Sequence, residues 1–305
     1  MIFVSKNQFM KKIFYAIGII SFLGLGQVQA QEATPIFYEQ NLNVFNPAMV
    51  GLESAHTISV AIRNQWRGVQ DAPQTHTFLT THRINDRMGV GLSLVNDKIF
   101  LLKQAGLYAD FSYRLPIDET SDVHLGLKAG GDFFNFDAHR AKVYDDFRYD
   151  PYLQTISGKF QPNIGVGVVY KNNRIEVGFA LPNLLASDSS KLEDGVMTSV
   201  AQRLQTYLHA GYLWQLNTDF ALKPIMLSRF AKGFTSSYHF TLWGIYLKKN
   251  QLGITYRTDK ALSAQLLFEI PQLSVSLGYG YEYPLDTHLN TYARNSHEFL
   301  VQFRW

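Results

Sequence analysis

The chain has 305 residues, with 28 Lys and Arg against 25 Asp and Glu, no cysteine, and 14% aromatic residues. Without cysteine it has neither disulfides nor a thiolate for metal or nucleophilic chemistry, so burial and backbone pairing must hold it together. Lys6, Lys11 and Lys12 supply the whole basic excess. Their loss by processing would leave a balanced chain with no composition-level case for nucleic acid or an anionic surface as partner.

Residues 1–30 have the layout of a secretory signal peptide, removed on export: the three Lys, an apolar run from Ile13 to Leu25, then Val28-Gln29-Ala30. Residues 31–55 form a lead-in without sustained alternation, punctuated by Phe45-Asn46-Pro47-Ala48 and Gly51. This segment is expected either in the periplasm or folded into a lumen.

From His56 to the end, period-2 alternation and turn signals resolve about fourteen extended segments. Met88, Val90, Leu92 and Leu94 alternate with Gly89, Gly91 and Ser93; Val123, Leu125 and Leu127 alternate with His124, Gly126 and Lys128. In the last segment Phe299, Val301, Phe303 and Trp305 share one face, while Glu298, Leu300, Gln302 and Arg304 share the other. Such a strand is a hazard as a free edge in water and is what a barrel needs in order to close.

The connections carry a second signal. Short turns at Asn85-Asp86, Ile117 to Thr120, Asn172-Asn173, Asn217-Thr218, Lys249-Asn250 and Pro271-Gln272 alternate with mostly longer loops, chiefly Phe136 to Gln161 and Leu181 to Gln202. After the signal, no run of about eighteen apolar residues would make a helical span. Together these features predict an all-β fold, a transmembrane outer-membrane barrel of about fourteen antiparallel strands spanning 56–305 in contact with outer-membrane lipid. Aromatics near segment ends, among them Trp66, Tyr113, Tyr170, Tyr212, Trp214, Tyr246, Tyr283 and Trp305, would form interfacial girdles. Pro224 lies within a segment and calls for a bulge. Tyr238 to Leu247 is apolar on both faces, so its facing is open.

The sequence carries no recognisable pattern for a catalytic, cofactor-binding or metal site. His76 and His82 share strand parity without a completing carboxylate or thiol and read as lumen or rim residues. Asp145, Asp146 and Asp150 lack the register of a calcium loop. Ser296 and His297 are neighbours on a strand and point to opposite faces, which argues against a dyad. Gly89, Gly91, Gly126, Gly130, Gly165, Gly167 and Gly178 recur on the inferred lumen face. They relieve crowding in a curved wall, or leave room for another chain or for the N-terminal segment.

Asn46-Pro47 with Gly51, Arg63-Asn64-Gln65-Trp66, Ala72-Pro73 and Asn96-Asp97-Lys98, followed in order by Tyr113-Arg114-Leu115-Pro116, Gly165-Val166-Gly167, Lys223-Pro224 and Ser296-His297-Glu298, resemble the PorP/SprF family of type IX secretion membrane proteins. The likeness covers essentially the whole mature chain. It implies a non-enzymatic outer-membrane barrel of Bacteroidetes that needs no cofactor. Its implied partners are type IX secretion components and the C-terminal domain of a secreted cargo, such as a large cell-surface adhesin used in gliding motility. In Phe136 to Gln161, Tyr144, Phe147, Arg148, Tyr149 and Tyr152 are the residue types favoured at interface centres and are the candidate cargo contacts. The alternative is a passive channel for small hydrophobic molecules, against which the lumen charges Asp110, Arg114, Lys128, Glu176, Glu282 and Arg304 weigh. An outer-membrane hydrolase is the other rival.

Overall fold

The computed structural model describes residues 34–136, 156–185, 190–193, 196–199, 203–231, 233–247, 249–285 and 295–305. The strands are β1 (His56–Asn64), β2 (Gln74–Arg83), β3 (Met88–Ile99), β4 (Leu102–Pro116), β5 (Asp122–Phe136), β6 (Ile156–Lys171) and β7 (Ile175–Leu181). After a small separate hairpin, β8 (Ser190–Glu193) and β9 (Val196–Ser199), come β10 (Gln205–Tyr212) and its short continuation β11 (Trp214–Gln215). The chain finishes with β12 (Phe220–Ala231), β13 (Ser237–Tyr246), β14 (Asn250–Arg257), β15 (Ala261–Ile270), β16 (Val275–Pro284) and β17 (Ser296–Arg304).

Neighbouring strands pair antiparallel, β10 pairs with both β7 and β12, and β1 pairs with β17 from Thr57 opposite Arg304 to Asn64 opposite His297. The result is a closed 14-strand barrel, as the alternation predicts. Closure pairs every wall strand on both sides through the body of the barrel, the condition for crossing hydrocarbon with strands.

Alternation sorts the side chains. In β1, Ser59, Ala61 and Arg63 are buried inward while Val60 and Ile62 are exposed outward; in β17, Glu298, Leu300 and Gln302 are inward and Phe299, Val301 and Phe303 outward. The outer belt of exposed Leu, Ile, Val and Phe is what lipid solvates. Tyr212, Trp214, Tyr246 and Trp305 sit near the turn-side rim and Tyr283 near the other, where an amphipathic ring has both an apolar and a wet neighbour.

Two local expectations change. Pro224 needs no bulge: Gly211 pairs with Ile225 and Trp214 with Leu222 in one unbroken register, and the ladder is interrupted at Tyr212 and Leu213. The missing amide is absorbed by that gap, which divides β10 from β11. His76 does not line the lumen; it faces outward and is exposed. His82 also points outward, at the turn-side rim, where its Nδ1 lies 2.6 Å from that of His56, itself stacked on Trp305. In β13, whose facing the sequence left open, His239, Thr241 and Trp243 are inward and buried, while Phe240 and Leu242 are outward.

Candidate functional site

The lumen is filled from within the same chain. Residues 34–55 run through it from the long-loop end, where Thr34 lies beside Arg63, to the turn end, where His56 begins β1. Ile36, Phe37, Tyr38, Asn41, Leu42, Asn46, Ala48 and Val50 are all buried.

The upper part of this segment is held by charge. Glu298 accepts the backbone N–H of Ile36 at 2.5 Å and that of Phe37 at 3.3 Å. Arg63 donates to the carbonyl of Thr34 and, at 2.7 Å, to Glu282. Arg257 reaches the second oxygen of Glu282 at 2.8 Å and also grips Asp259, while the Ser263 hydroxyl donates to Glu282 at 3.1 Å. These side chains come from β1, β14, β15, β16 and β17, so one network joins both sides of the closing seam to the segment. Buried carboxylates survive there because guanidinium groups face them and their lone pairs are used.

Lower contacts are neutral apart from an ion pair at Glu39. The Tyr38 hydroxyl bonds Thr241 at 2.8 Å, and the Ser59 hydroxyl donates to Asn41 at 3.0 Å. Glu39 pairs with Lys223, whose strand passes Pro224 immediately afterwards.

Two 3-10 turns, Glu39–Val44 and Pro47–Met49, carry the segment downward. Asn46 caps the second: its side-chain oxygen accepts the Ala48 N–H at 3.0 Å, and its amide donates to the Val168 carbonyl at 3.3 Å. Proline fits directly after it because its preset φ suits the first turn residue and its missing N–H is not needed there. This turn presses into a wall cleared of side chains. A Cβ on Gly126 would stand 2.1 Å from the Ala48 nitrogen, and one on Gly167 would stand 2.0 Å from the Asn46 oxygen. Of the two uses expected for the lumen glycines, these serve the N-terminal segment. Gly278 and Gly280, near the top, make the same allowance for Ile36 and Phe37.

At the exit Ser112 donates to the Val50 carbonyl at 2.7 Å, and Arg83 donates to the Gly51 carbonyl through Nε at 2.9 Å and Nη2 at 2.6 Å. Gly51 has φ of 69°, a left-handed turn that most side chains resist. Above Gly126 the lumen stays polar: Lys128 and Asp110 approach to 2.7 Å, and Tyr108 donates to Asp132 at 2.5 Å.

The motif residues fall into two groups. Asn46, Pro47, Gly51 and Arg63 build or hold the luminal segment. Asn64, Gln65, Trp66, Ala72 and Pro73 form the first long-end loop and its foot, where the Gln65 N–H donates to Pro73 at 3.0 Å and Trp66 packs near Phe100. Lys98 braces that loop through Asp71 at 3.0 Å, and Asp97 accepts from Thr75 at 2.7 Å, while Asn96 faces outward. Tyr144, Phe147, Arg148, Tyr149 and Tyr152, and the aspartates 145, 146 and 150, lie outside the described residues. Glu282, Arg257 and Ser112, all partners in the luminal network, were not singled out as a site by sequence. For Glu282 and Arg257 the signal was a charged residue at inward parity; Ser112 carries none. Among the described residues no group of three or more His, Cys, Asp or Glu is placed to hold a metal ion.

A closed barrel, apolar outside, polar and ionic within, and stoppered by its own residues 34–55, defines an integral outer-membrane β-barrel. The family model described as "Type IX secretion system membrane protein PorP/SprF" matches residues 28–303. The chain belongs to that family, as the motifs suggested. Three solved barrels share the fold at low identity. The outer membrane protein Omp33 of Acinetobacter baumannii has a TM-score of 0.51 and 9% identity, covering 84% of this chain and 100% of that one. The toluene transporter TbuX of Ralstonia pickettii has a TM-score of 0.51 and 10% identity, covering 85% and 92%. The CymD monoaromatic hydrocarbon channel has a TM-score of 0.50 and 12% identity, covering 92% and 94%. No curated protein matches the chain.

Proposed function

We propose that this protein is a non-enzymatic receiver or anchor for a type IX cargo, engaging the cargo's C-terminal sorting domain at the long-loop mouth of the barrel. The observation that carries this reading is the occupied lumen: residues 34–55 fill the space a passenger would need, which leaves the mouth as the receiving surface. The wall supports it there. β4, β5 and β6, with 15, 15 and 16 residues, rise well beyond β7, with 7, on the long-loop side. Tyr144, Phe147, Arg148, Tyr149 and Tyr152 extend from this tall blade in sequence and are the contacts assigned to the cargo. A large surface adhesin is the cargo class that suits anchoring, with motility as its use in gliding Bacteroidetes.

Removal of residues 137–155 tests the assignment. The cargo is expected to appear in the medium while the shortened barrel still folds and reaches the outer membrane; undiminished surface retention rules the loop out. We also assign 1–30 as the cleaved export signal, so Edman sequencing of the purified protein should start near Gln31. TbuX, a toluene transporter, and CymD, a monoaromatic hydrocarbon channel, keep a hydrophobic-solute channel in view, but Arg63, Glu282, Asp110 and Lys128 line this lumen with charge, an unfavourable path for an apolar solute.

A further inference from the structure

Where residues 34–55 leave the barrel, the turn-side mouth contains a cavity of about 250 Å³. Its roof is Val50 to Leu52 and its walls come from the β2–β3, β4–β5 and β6–β7 turns. Arg83, Arg87, Arg114 and Lys171 line it against only Asp86 and Asp122 among the lining carboxylates. Arg83 is committed to Gly51, Arg114 lies 2.8 Å from Asp122, and Lys171 lies 3.2 Å from Glu176. The Arg114 and Lys171 side chains nevertheless remain 43% and 33% exposed, and Arg87 is exposed in its turn. The cavity is therefore a concave site with cationic donors left over.

We infer that this cavity binds carboxylate side chains of an acidic peptide segment presented by a periplasmic protein. Its volume lies below the roughly 300–1,000 Å³ of ordinary small-molecule pockets and suits one or two carboxylates on a strand better than a cofactor. Asn85, Thr120, Asn172 and Asn173 surround the cations with neutral donors and acceptors that complement a peptide backbone. Asp86 and Asp122 disfavour a compact dianion such as phosphate, whose charge is denser than that of a carboxylate. The cavity opens inside the ring of strands, away from the lipid-facing belt. Its assignment to the periplasm rests on the outer-membrane reading, in which tight turns face inward to the cell; anion recognition itself does not.

The test uses the full chain in detergent micelles and a short fluorescent peptide rich in Asp and Glu, followed by anisotropy. The acidic peptide should bind and the matched Asn and Gln peptide should not. Binding should weaken as salt rises, and the Arg87→Gln, Arg114→Gln double variant should lose about tenfold in affinity while keeping its folded gel mobility. Equal binding of both peptides, no binding, an unaffected double variant, or displacement of the peptide by equimolar inorganic phosphate each overturns the assignment. Because the chain has no cysteine, an Arg87→Cys variant separately reports orientation. Protection from an impermeant thiol reagent in intact cells, with labelling after the outer membrane is opened, supports the periplasmic side. Labelling in intact cells overturns that orientation without touching the peptide result.

Discussion

The two halves of the luminal segment are held by opposite means. From Thr34 to Phe37 the chain is gripped by ionised side chains, with Glu298 on its amides and Arg63 on its carbonyl inside a network that runs on to Glu282 and Arg257. From Asn46 to Val50 it lies in a groove made by subtraction, where Gly126 and Gly167 offer only backbone and the protein contributes shape. A charge network fails by losing a member, because every remaining charge is then buried without its counterpart. A groove fails by gaining an atom. Opposite kinds of substitution should therefore release opposite ends of one segment.

The largest effect is expected from removing both ends of the segment together. Deleting residues 34–50 should convert a barrel that conducts little into an open, water-filled one, because the wall it exposes carries Arg63, Asp110, Lys128, Glu282 and Glu298. Single-channel conductance in planar bilayers reads this, and an unchanged current would mean that the segment does not obstruct the lumen. Next comes Arg63→Ala, which strips Glu282 and Glu298 of a shared cation and should cost about 3–5 kcal/mol in urea unfolding in lipid. A loss under about 1 kcal/mol would show that Arg257 alone supports the network.

Gly126→Ala attacks the groove by addition and should cost about 1–3 kcal/mol. It should also speed thiol labelling of a Met49→Cys reporter while leaving an Ile36→Cys reporter nearly unchanged. Equal acceleration at both reporters would merge the two halves into one cooperative unit. The mildest is Asn46→Ala, which removes a turn cap and a wall hydrogen bond and should cost about 1 kcal/mol.

The barrel was legible because each strand repeats one rule, with apolar groups on lipid and small or polar groups inside, and because turn length alternates with it. β13 escaped that rule since Trp243 packs against the luminal core, so an inward position looks as apolar as an outward one. The luminal segment was invisible to periodicity for a related reason. It has neither helix nor strand period; its Asn46-Pro47 turn looks the same whether it faces water or a wall. What sequence did record was the complement, in glycines placed where a side chain would collide. Motif resemblance singled out Asn46 and Arg63 without a role, and only the three-dimensional partners, the Val168 carbonyl, Glu282 and Thr34, supply one. Glu282 and Arg257 are distant in sequence from the segment they anchor, and inward parity marks them as lumen charges without naming a partner.

The network at the top joins residues 34–37 to β1, β16 and β17, the strands on either side of the barrel's seam. A cylinder zipped shut first would have to be threaded afterwards by residues 34–55, as far as that ionic network. Biogenesis is spared that passage if the leader is already laid across the unfinished sheet, so that the last hydrogen bonds form around it and it acts as the mandrel on which the wall is rolled.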